Sequence, residues 1–305
     1  MSARTNRLLS GAALVGAAGI GWAALEAHWY TLRHLTVPVL PPGRVPVRVL
    51  HLSDVHLLPR QQRKVEWMRS LAELDPHLVV TTGDNIAHES ALPALLHAYE
   101  PLLDRPGAFV LGSNDYFAPI PKNPARYLTE DSRERNRPPG RLLPVGELTA
   151  ALASSGWKDL NNRRDGVVVG GSSVSLVGVD DAHLGRDRFP AGPADASCDV
   201  ALGVTHAPYR RILDTMAADG ADLILAGHTH GGQLCLPLLG ALVTNCDLDT
   251  GRARGLHGWP GPRPDSPGGG ESTWLHVSAG LGTSPFAPVR FACRPEASLL
   301  TLVPR

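Results

Sequence analysis

From Val45 onward, short apolar runs recur along the chain, each closed abruptly by polar residues. They are Val47 to Leu52, Leu78 to Thr82, Ala108 to Leu111, Val174 to Val179, Val200 to Thr205, Leu223 to Ala226 and Leu275 to Ser278. Unbroken apolar runs of this length suit strands buried on both faces, which in turn require helices or a second sheet as cover. Helical patterning separates the runs, notably over Arg63 to Leu74, Ala91 to Leu103 and Tyr209 to Ala218. The pattern therefore predicts an α/β sandwich. Ala118 to Pro144, rich in Pro and Arg, and Gly258 to Gly270, rich in Gly and Pro, read as loops. The first is long enough to be an active-site cap or partner surface, with a solvated excursion as the alternative.

Upstream of the sandwich the pattern changes. After Arg4 and Arg7, Leu8 to Leu25 carries no charge, and Trp22, Trp29 and Tyr30 follow near its end. A run of this length is about the minimum for a membrane-spanning helix, and the aromatic residues suit an interfacial belt. The stretch predicts an uncleaved N-terminal membrane-anchor helix. A cleaved signal peptide and a buried soluble helix are the alternatives, and no A-x-A triplet closes the run. Residues 1–44 are thus expected to be anchor and linker, and 45–305 a single domain. Arg33 and Arg44 nearly balance Arg4 and Arg7, and the expected placement is at the cell membrane with the domain outside the cytoplasm.

Charge narrows the partners. The chain of 305 residues has 29 Lys and Arg against 29 Asp and Glu, which removes the global basic field of a nucleic-acid binder, so none is expected. Cys198, Cys235, Cys246 and Cys293 show no CxxC spacing and are too sparse for a disulfide framework. Oligomeric state is not legible. The 13 histidines are many, and their positions carry the chemistry.

The polar residues that end the strand runs form an ordered set. Asp54-Val55-His56 follows the first run, Gly83-Asp84 the second and Gly112-Ser113-Asn114-Asp115 the third; His206 follows the fifth and Gly227-His228-Thr229-His230-Gly231-Gly232 the sixth. Open α/β folds bind ligands outside the carboxyl ends of their strands, so these loops should meet at one edge. Carboxylate oxygens mixed with imidazole nitrogens suit Mn, Fe, Zn or Co rather than calcium. The set exceeds what one ion needs. Two divalent transition-metal ions sharing a bridging Asp are the economical solution, and such a pair can activate a shared hydroxide for in-line displacement at phosphorus. No H-x-H-x-D-H cluster or G-x-S-x-G is present, which argues against metallo-β-lactamase-like and serine hydrolases.

Over roughly Val45 to Leu302 the arrangement resembles the calcineurin-like metallophosphoesterase family, whose order of D-x-H, G-D, G-N-H-D/E, H and G-H-x-H is matched at every block except the third. GHTHGGQ over Gly227 to Gln233, and the ending GLGTSPFAPVRFACRPEASLLTL, look most like its membrane-anchored bacterial branch of YkuE-like phosphoesterases. The resemblance implies a four-layer α/β/β/α sandwich. It also implies that Asp54, His56 and His230 hold one metal, that His206 and His228 hold the other, and that Asp84 bridges. In the third block Asn114 is preferred over Ser113 as the ligand, and the general acid that other members carry there, a His, is missing. Asp84, Asn114 and His228 are expected to bear most directly on catalysis. The implied activity is hydrolysis of a phosphodiester or diphosphate, possible substrates being lipid- or nucleotide-linked; the alternative is a catalytically weakened metal-binding sensor or scaffold at the membrane. Asp180, Asp181 and His183 follow the fourth run, and His183 is a candidate substrate contact, with an Asx-type turn as the rival reading. Arg126, Arg133, Arg135, Arg137 and Arg141 either meet a polyanionic headgroup or form a solvated charge run.

Overall fold

The computed structural model describes residues 16–121 and 140–305. Its first half runs through α1 (residues 16–26), β1 (Thr31–Leu40), β2 (Val47–Leu52), α2 (Gln62–Ser70), β3 (Leu78–Thr81), α3 (Leu92–Tyr99), β4 (Gly107–Phe109), α4 (Ser113–Tyr116), α5 (Val145–Ser154) and β5 (Lys158–Asp159). The second half contains β6 (Arg163–Val169), β7 (Ser172–Gly178), β8 (Val200–Val204), α6 (Arg210–Ala218), β9 (Leu223–Ala226), β10 (Cys235–Leu236), β11 (Gly240–Ala241), β12 (Gly255–Trp259), β13 (Thr273–Val277) and β14 (Glu296–Pro304).

Two mixed six-stranded sheets form, in the orders β1-β14-β2-β3-β4-β5 and β12-β13-β9-β8-β7-β6. Successive strand residues point to opposite faces, so an apolar run must meet cover on both sides. In β3, Leu78 and Val80 enter the cluster between the sheets, while Val79 packs outward against Met68 of α2 and Leu95 of α3. In β9, Leu223 and Leu225 enter that same inner cluster, and Ile224 packs against Leu213 and Met216 of α6. The result is helix, sheet, sheet, helix. β2, β3 and β4 are mutually parallel, as are β7, β8 and β9, which puts the carboxyl ends of each trio together.

The strands that the apolar pattern misses are instructive. Three of them, β1, β6 and β12, are sheet edges whose outward positions carry polar residues such as Arg33, His34, Arg163 and Asp165, while β14, inside the first sheet, is missed because Glu296, Ser298 and Thr301 interrupt its apolar residues. β1 also moves the boundary expected at residue 45. It pairs in parallel with β14 from Thr31 to Leu40, so the first sheet begins inside the segment expected to be linker.

The end of α1 is docked on the domain. Ala23, Glu26 and Ala27 are buried, the N–H of Arg290 donates to Ala23 O at 2.9 Å, and the Glu26 carboxylate accepts from the N–H groups of Cys293 and Ala292 at 2.7 and 3.1 Å. At 1.5 Å per residue the described part of α1 is about 16 Å long, against a hydrocarbon layer of about 30 Å. Among the described residues no helix is long and apolar enough to cross a membrane. Part of the expected anchor, Leu8 to Leu25, falls on residues 1–15, outside the described residues. Arg126, Arg133, Arg135 and Arg137 lie outside them too, while Arg141 pairs with Glu89 at 2.8 Å.

Candidate metal centre

The loops that leave β2, β3, β4, β7, β8 and β9 meet along one edge of the two sheets. Asp54 and His56 follow β2, Asp84 follows β3, Gly112 to Asp115 follow β4, His206 follows β8, and His228 and His230 follow β9. Five of these side chains stand on left-handed backbone: Asp54 (φ +48°), His56 (+43°), Asp84 (+54°), His228 (+69°) and His230 (+50°). Non-glycine residues avoid that region, so strain at five convergent positions marks a site held together by its surroundings. Close approach explains two glycines. A Cβ on Gly112 would strike Asp84 Oδ1, and one on Gly227 would strike Ser53 Oγ.

Three of the histidines are oriented from behind by backbone carbonyls. His206 Nδ1 lies 2.7 Å from Thr82 O, His228 Nε2 3.1 Å from Asn245 O, and His230 Nδ1 3.2 Å from Gly282 O. A carbonyl only accepts, so each of these ring nitrogens carries a proton and the opposite nitrogen is turned to the centre. There His206 Nε2 is 3.3 Å from His228 Nδ1 and 3.6 Å from Asp84 Oδ1, while His56 Nε2 is 3.1 Å from His230 Nε2 and 3.4 Å from Asp84 Oδ2. The two oxygens of Asp84 thus face opposite halves of the cluster. Asp54, His56 and His230 form one compact group, and Asp54, Asp84 and His206 a second, with ligand atoms within 4.8 Å of one another in each.

Burial and charge set the protonation states. Burial pushes Asp54 up to about 6 and His56 down to about 4, and holds His228 and His230 well below the usual imidazole range. For His206 burial acts downward too, but Asp84, Asp54 and Asp181 outweigh it and raise the imidazole to about 9. Burial likewise opposes the charge on Asp84, yet His206, His56 and the Asn114 donors hold it well below the carboxylate range. The imidazoles of His56, His228 and His230 are neutral, and the negative charge that favours a proton on His206 would equally favour a divalent cation beside it. An imidazole can give only one proton to such a contact.

Similarity to known proteins agrees with this chemistry. A model of the calcineurin-like phosphoesterase family matches residues 47–232, more than half of the chain and all of the candidate ligands. The chain belongs to the calcineurin-like phosphoesterase family. Members of this family use divalent metals, and membership implies hydrolase chemistry on phosphate esters. It is 24% identical to the uncharacterized metallophosphoesterase YkuE of Bacillus subtilis over 96% of this chain and 93% of that one, and 25% identical to the phosphodiesterase YaeI of Escherichia coli over 91% and 90%. It is also 27% identical to a bovine transmembrane protein with metallophosphoesterase domain, over 65% of this chain and 44% of the bovine protein.

Within this phosphoesterase site the third block has a definite geometry. Asn114 reaches Asp84 twice, through its backbone N–H to Oδ1 at 2.7 Å and its side-chain amide to Oδ2 at 2.8 Å. Asp115 is fully buried and accepts from the N–H groups of Asp84, Asn85 and Gly112 at 2.8 to 2.9 Å, so it staples the β3 and β4 loops together. Beyond β7, Asp181 accepts from the N–H of His183 at 2.9 Å in an Asx-type turn. His183 itself lies with its ring 4.8 Å from that of His228 and its Nδ1 3.0 Å from the Tyr209 hydroxyl.

Several residues that support the site are not visible as motifs. Ser53 donates to Asp54 Oδ2 at 2.5 Å, Thr82 donates to Ser53 at 2.6 Å, His51 Nε2 lies 2.9 Å from the Thr82 hydroxyl, and His276 Nδ1 lies 2.9 Å from His51 Nδ1. With Thr82 spending its proton on Ser53, each of these bonds can run in one direction, toward Asp54. Arg290, fully buried, donates to Ala279 O and Gly282 O at 2.7 Å, which fixes the carbonyl that orients His230. Lys64 Nζ donates to Val55 O at 2.8 Å, between Asp54 and His56. The sequence signal for His51 and His276 is a basic residue inside an otherwise buried run; Lys64 and Arg290 have none.

Proposed function

We propose that this metallophosphoesterase binds two divalent transition-metal ions and hydrolyses a phosphodiester or diphosphate bond of a lipid- or nucleotide-linked substrate. Asp54, His56 and His230 hold one ion, His206, His228 and Asn114 the other, and Asp84 both. When bound, the pair supplies an activated water and positive charge for the phosphoryl oxygens. The observation that carries the reading is the carbonyl behind each of His206, His228 and His230, which turns His206 Nε2 toward Asp84, His230 Nε2 toward Asp54 and His228 Nδ1 toward His206. The chain's own groups set this arrangement: Thr82, Asn245 and Gly282 fix tautomers, Asp115 fixes the loop that brings Asn114 to Asp84, and His183 contacts the substrate from the rim beside His228. The chain is attached to the cell membrane through its N-terminal apolar run, with the domain outside the cytoplasm. Leu8 to Leu25 supports this, as does a bovine relative whose name includes a transmembrane protein.

A second reading rests on the third block. Asn114 stands where the family has an imidazole acid, and its amide is committed to Asp84, which fits a metal-binding scaffold of weak activity. Turnover of bis(p-nitrophenyl) phosphate with added Mn separates the two. The enzyme reading requires metal-dependent turnover that Asp84→Asn lowers by several orders of magnitude. Metal-loaded wild type without turnover would support the scaffold.

A further inference from the structure

Fourteen large apolar side chains stand exposed among the described residues, and ten of them lie on three adjacent segments. Ile20, Trp22, Leu25 and Trp29 belong to α1 and the turn after it. Leu234, Leu236, Leu238, Leu239 and Leu242 belong to the hairpin of β10 and β11, and Phe286 to the loop before β14. Hydrogen bonds set these segments side by side. The 287–293 stretch is tied to α1 through Arg290 N and Ala23 O, and to the hairpin through Cys235 N and Phe291 O at 2.9 Å and Phe291 N and Gln233 O at 3.0 Å. None of the three carries a charge at its surface: residues 8–25, 231–246 and 272–289 contain no Asp, Glu, Lys or Arg.

A scatter of exposed leucines needs no explanation, but a concentrated face does. Three details say what covers it. Residues 16–25 of α1 are without charge around the whole circumference and still exposed at Ala17, Ala18, Ile20, Trp22, Ala24 and Leu25, and a helix of that kind is stable in an apolar surround. Its apolar run continues upstream through residues 8–15. At the hairpin tip, Leu238 is fully exposed at φ +71°, a conformation that glycine or asparagine fills at less cost. At the margin, the Arg294 guanidinium lies 3.7 Å over the Trp29 ring, the aromatic and cationic pairing of a headgroup layer.

We propose that this face docks on a lipid bilayer, with the β10–β11 hairpin and the Phe286 loop entering the interfacial layer beside α1. The domain then lies against the membrane rather than hanging from it by a linker. Because β10 starts five residues after His230, docking brings the ligand cluster to headgroup level, where the substrate is the phosphate of a membrane-borne amphiphile. That last step rests on the metal-centre reading above; the docking itself does not.

The test uses the full chain in vesicles of mixed phosphatidylethanolamine and phosphatidylglycerol, with Cys198→Ser removing the one cysteine that is not buried. Nitroxide is placed at Leu239→Cys, at Leu236→Cys as a second position, and at Val168→Cys on the far edge of the other sheet as the aqueous control. Docking requires the two hairpin labels to gain collisions with oxygen and to lose collisions with an aqueous nickel chelate several-fold relative to the label at 168. Hairpin labels that meet the chelate as freely as the control overturn it. So do labels shielded from both reagents, which would mean that protein, either the N-terminal residues or a second copy, covers the face. Metal content measured on the same samples reports the centre independently, so the two readings fail separately.

Discussion

The Nε2 atoms of His56 and His230 stand 3.1 Å apart, with Asp84 Oδ2 3.4 Å from the first and Asp54 Oδ1 3.6 Å from the second. One shared proton would satisfy a single contact among these four atoms, whereas a divalent ion satisfies all of them. Metal should therefore act as a stabilising ligand of the folded state. At a hundredfold excess over its Kd, Mn added to chelator-treated protein should stabilise it by about 3 kcal/mol, or raise Tm by roughly 5 to 10 °C. Differential scanning fluorimetry checks this, and His230→Ala should lose most of the shift. An unchanged wild-type Tm would argue against a preformed site.

On the proposed function, the third block should decide which bonds break readily. A general acid typically contributes on the order of 100 to 10,000-fold when an alkoxide leaves, and Asn114 supplies no proton. Asp115, the nearest carboxyl in the sequence, is committed to backbone N–H groups. A phosphate leaving group, with a pKa of about 6, departs without help. Rates across aryl phosphodiesters of graded leaving-group pKa should fall steeply in the wild type and less steeply in Asn114→His. A shallow wild-type dependence would reveal another acid.

His276 gives the acid limb of stability. Burial, with a smaller contribution from the charge of His257, lowers it to about 3, against about 6.5 in an unfolded chain. Between these values the unfolded state binds the extra proton, so stability falls as pH falls from about 6.5 toward 3 and is fully present above that window. This group contributes about 1 kcal/mol per pH unit there. Urea unfolding of His276→Leu should show a pH dependence flatter by one proton; an unchanged slope would mean that His276 titrates normally in the fold.

Glu26 ties α1 to the segment that carries Arg290. Removing its carboxylate strands the N–H groups of Ala292 and Cys293 in a largely buried setting, and each such loss costs about 1 to 3 kcal/mol. Glu26→Ala should cost roughly 3 kcal/mol in urea unfolding, and Glu26→Gln, which keeps an acceptor, clearly less. Wild-type stability in the alanine variant would detach α1 from the fold.

Asp54, His56, Asp84, His206, His228 and His230 are legible in the sequence for one physical reason. Each lies just beyond an apolar run, and parallel strands carry such ends to a common edge. β2, β3 and β4 of the first sheet and β7, β8, β9 and β13 of the second are legible for the same reason, lying inside the sheets with buried apolar residues. β1, β6 and β12 are not, since an edge strand shows water one flank and keeps polar residues there. The relay through His276, His51, Thr82 and Ser53 joins both sheets, and only the pairing of β2 with β3 and the packing of the sheets bring its members together. Arg290 props His230 from 60 residues away, a distance no local pattern spans.

The number of metal ions per chain bears most directly on the central claim. Elemental analysis of protein purified without chelators should find close to two transition-metal ions, and Asp84→Asn, which removes the shared carboxylate, should lose at least one of them along with turnover. One ion or none in the wild type, with no further uptake when Mn or Zn is supplied, would contradict the dinuclear centre.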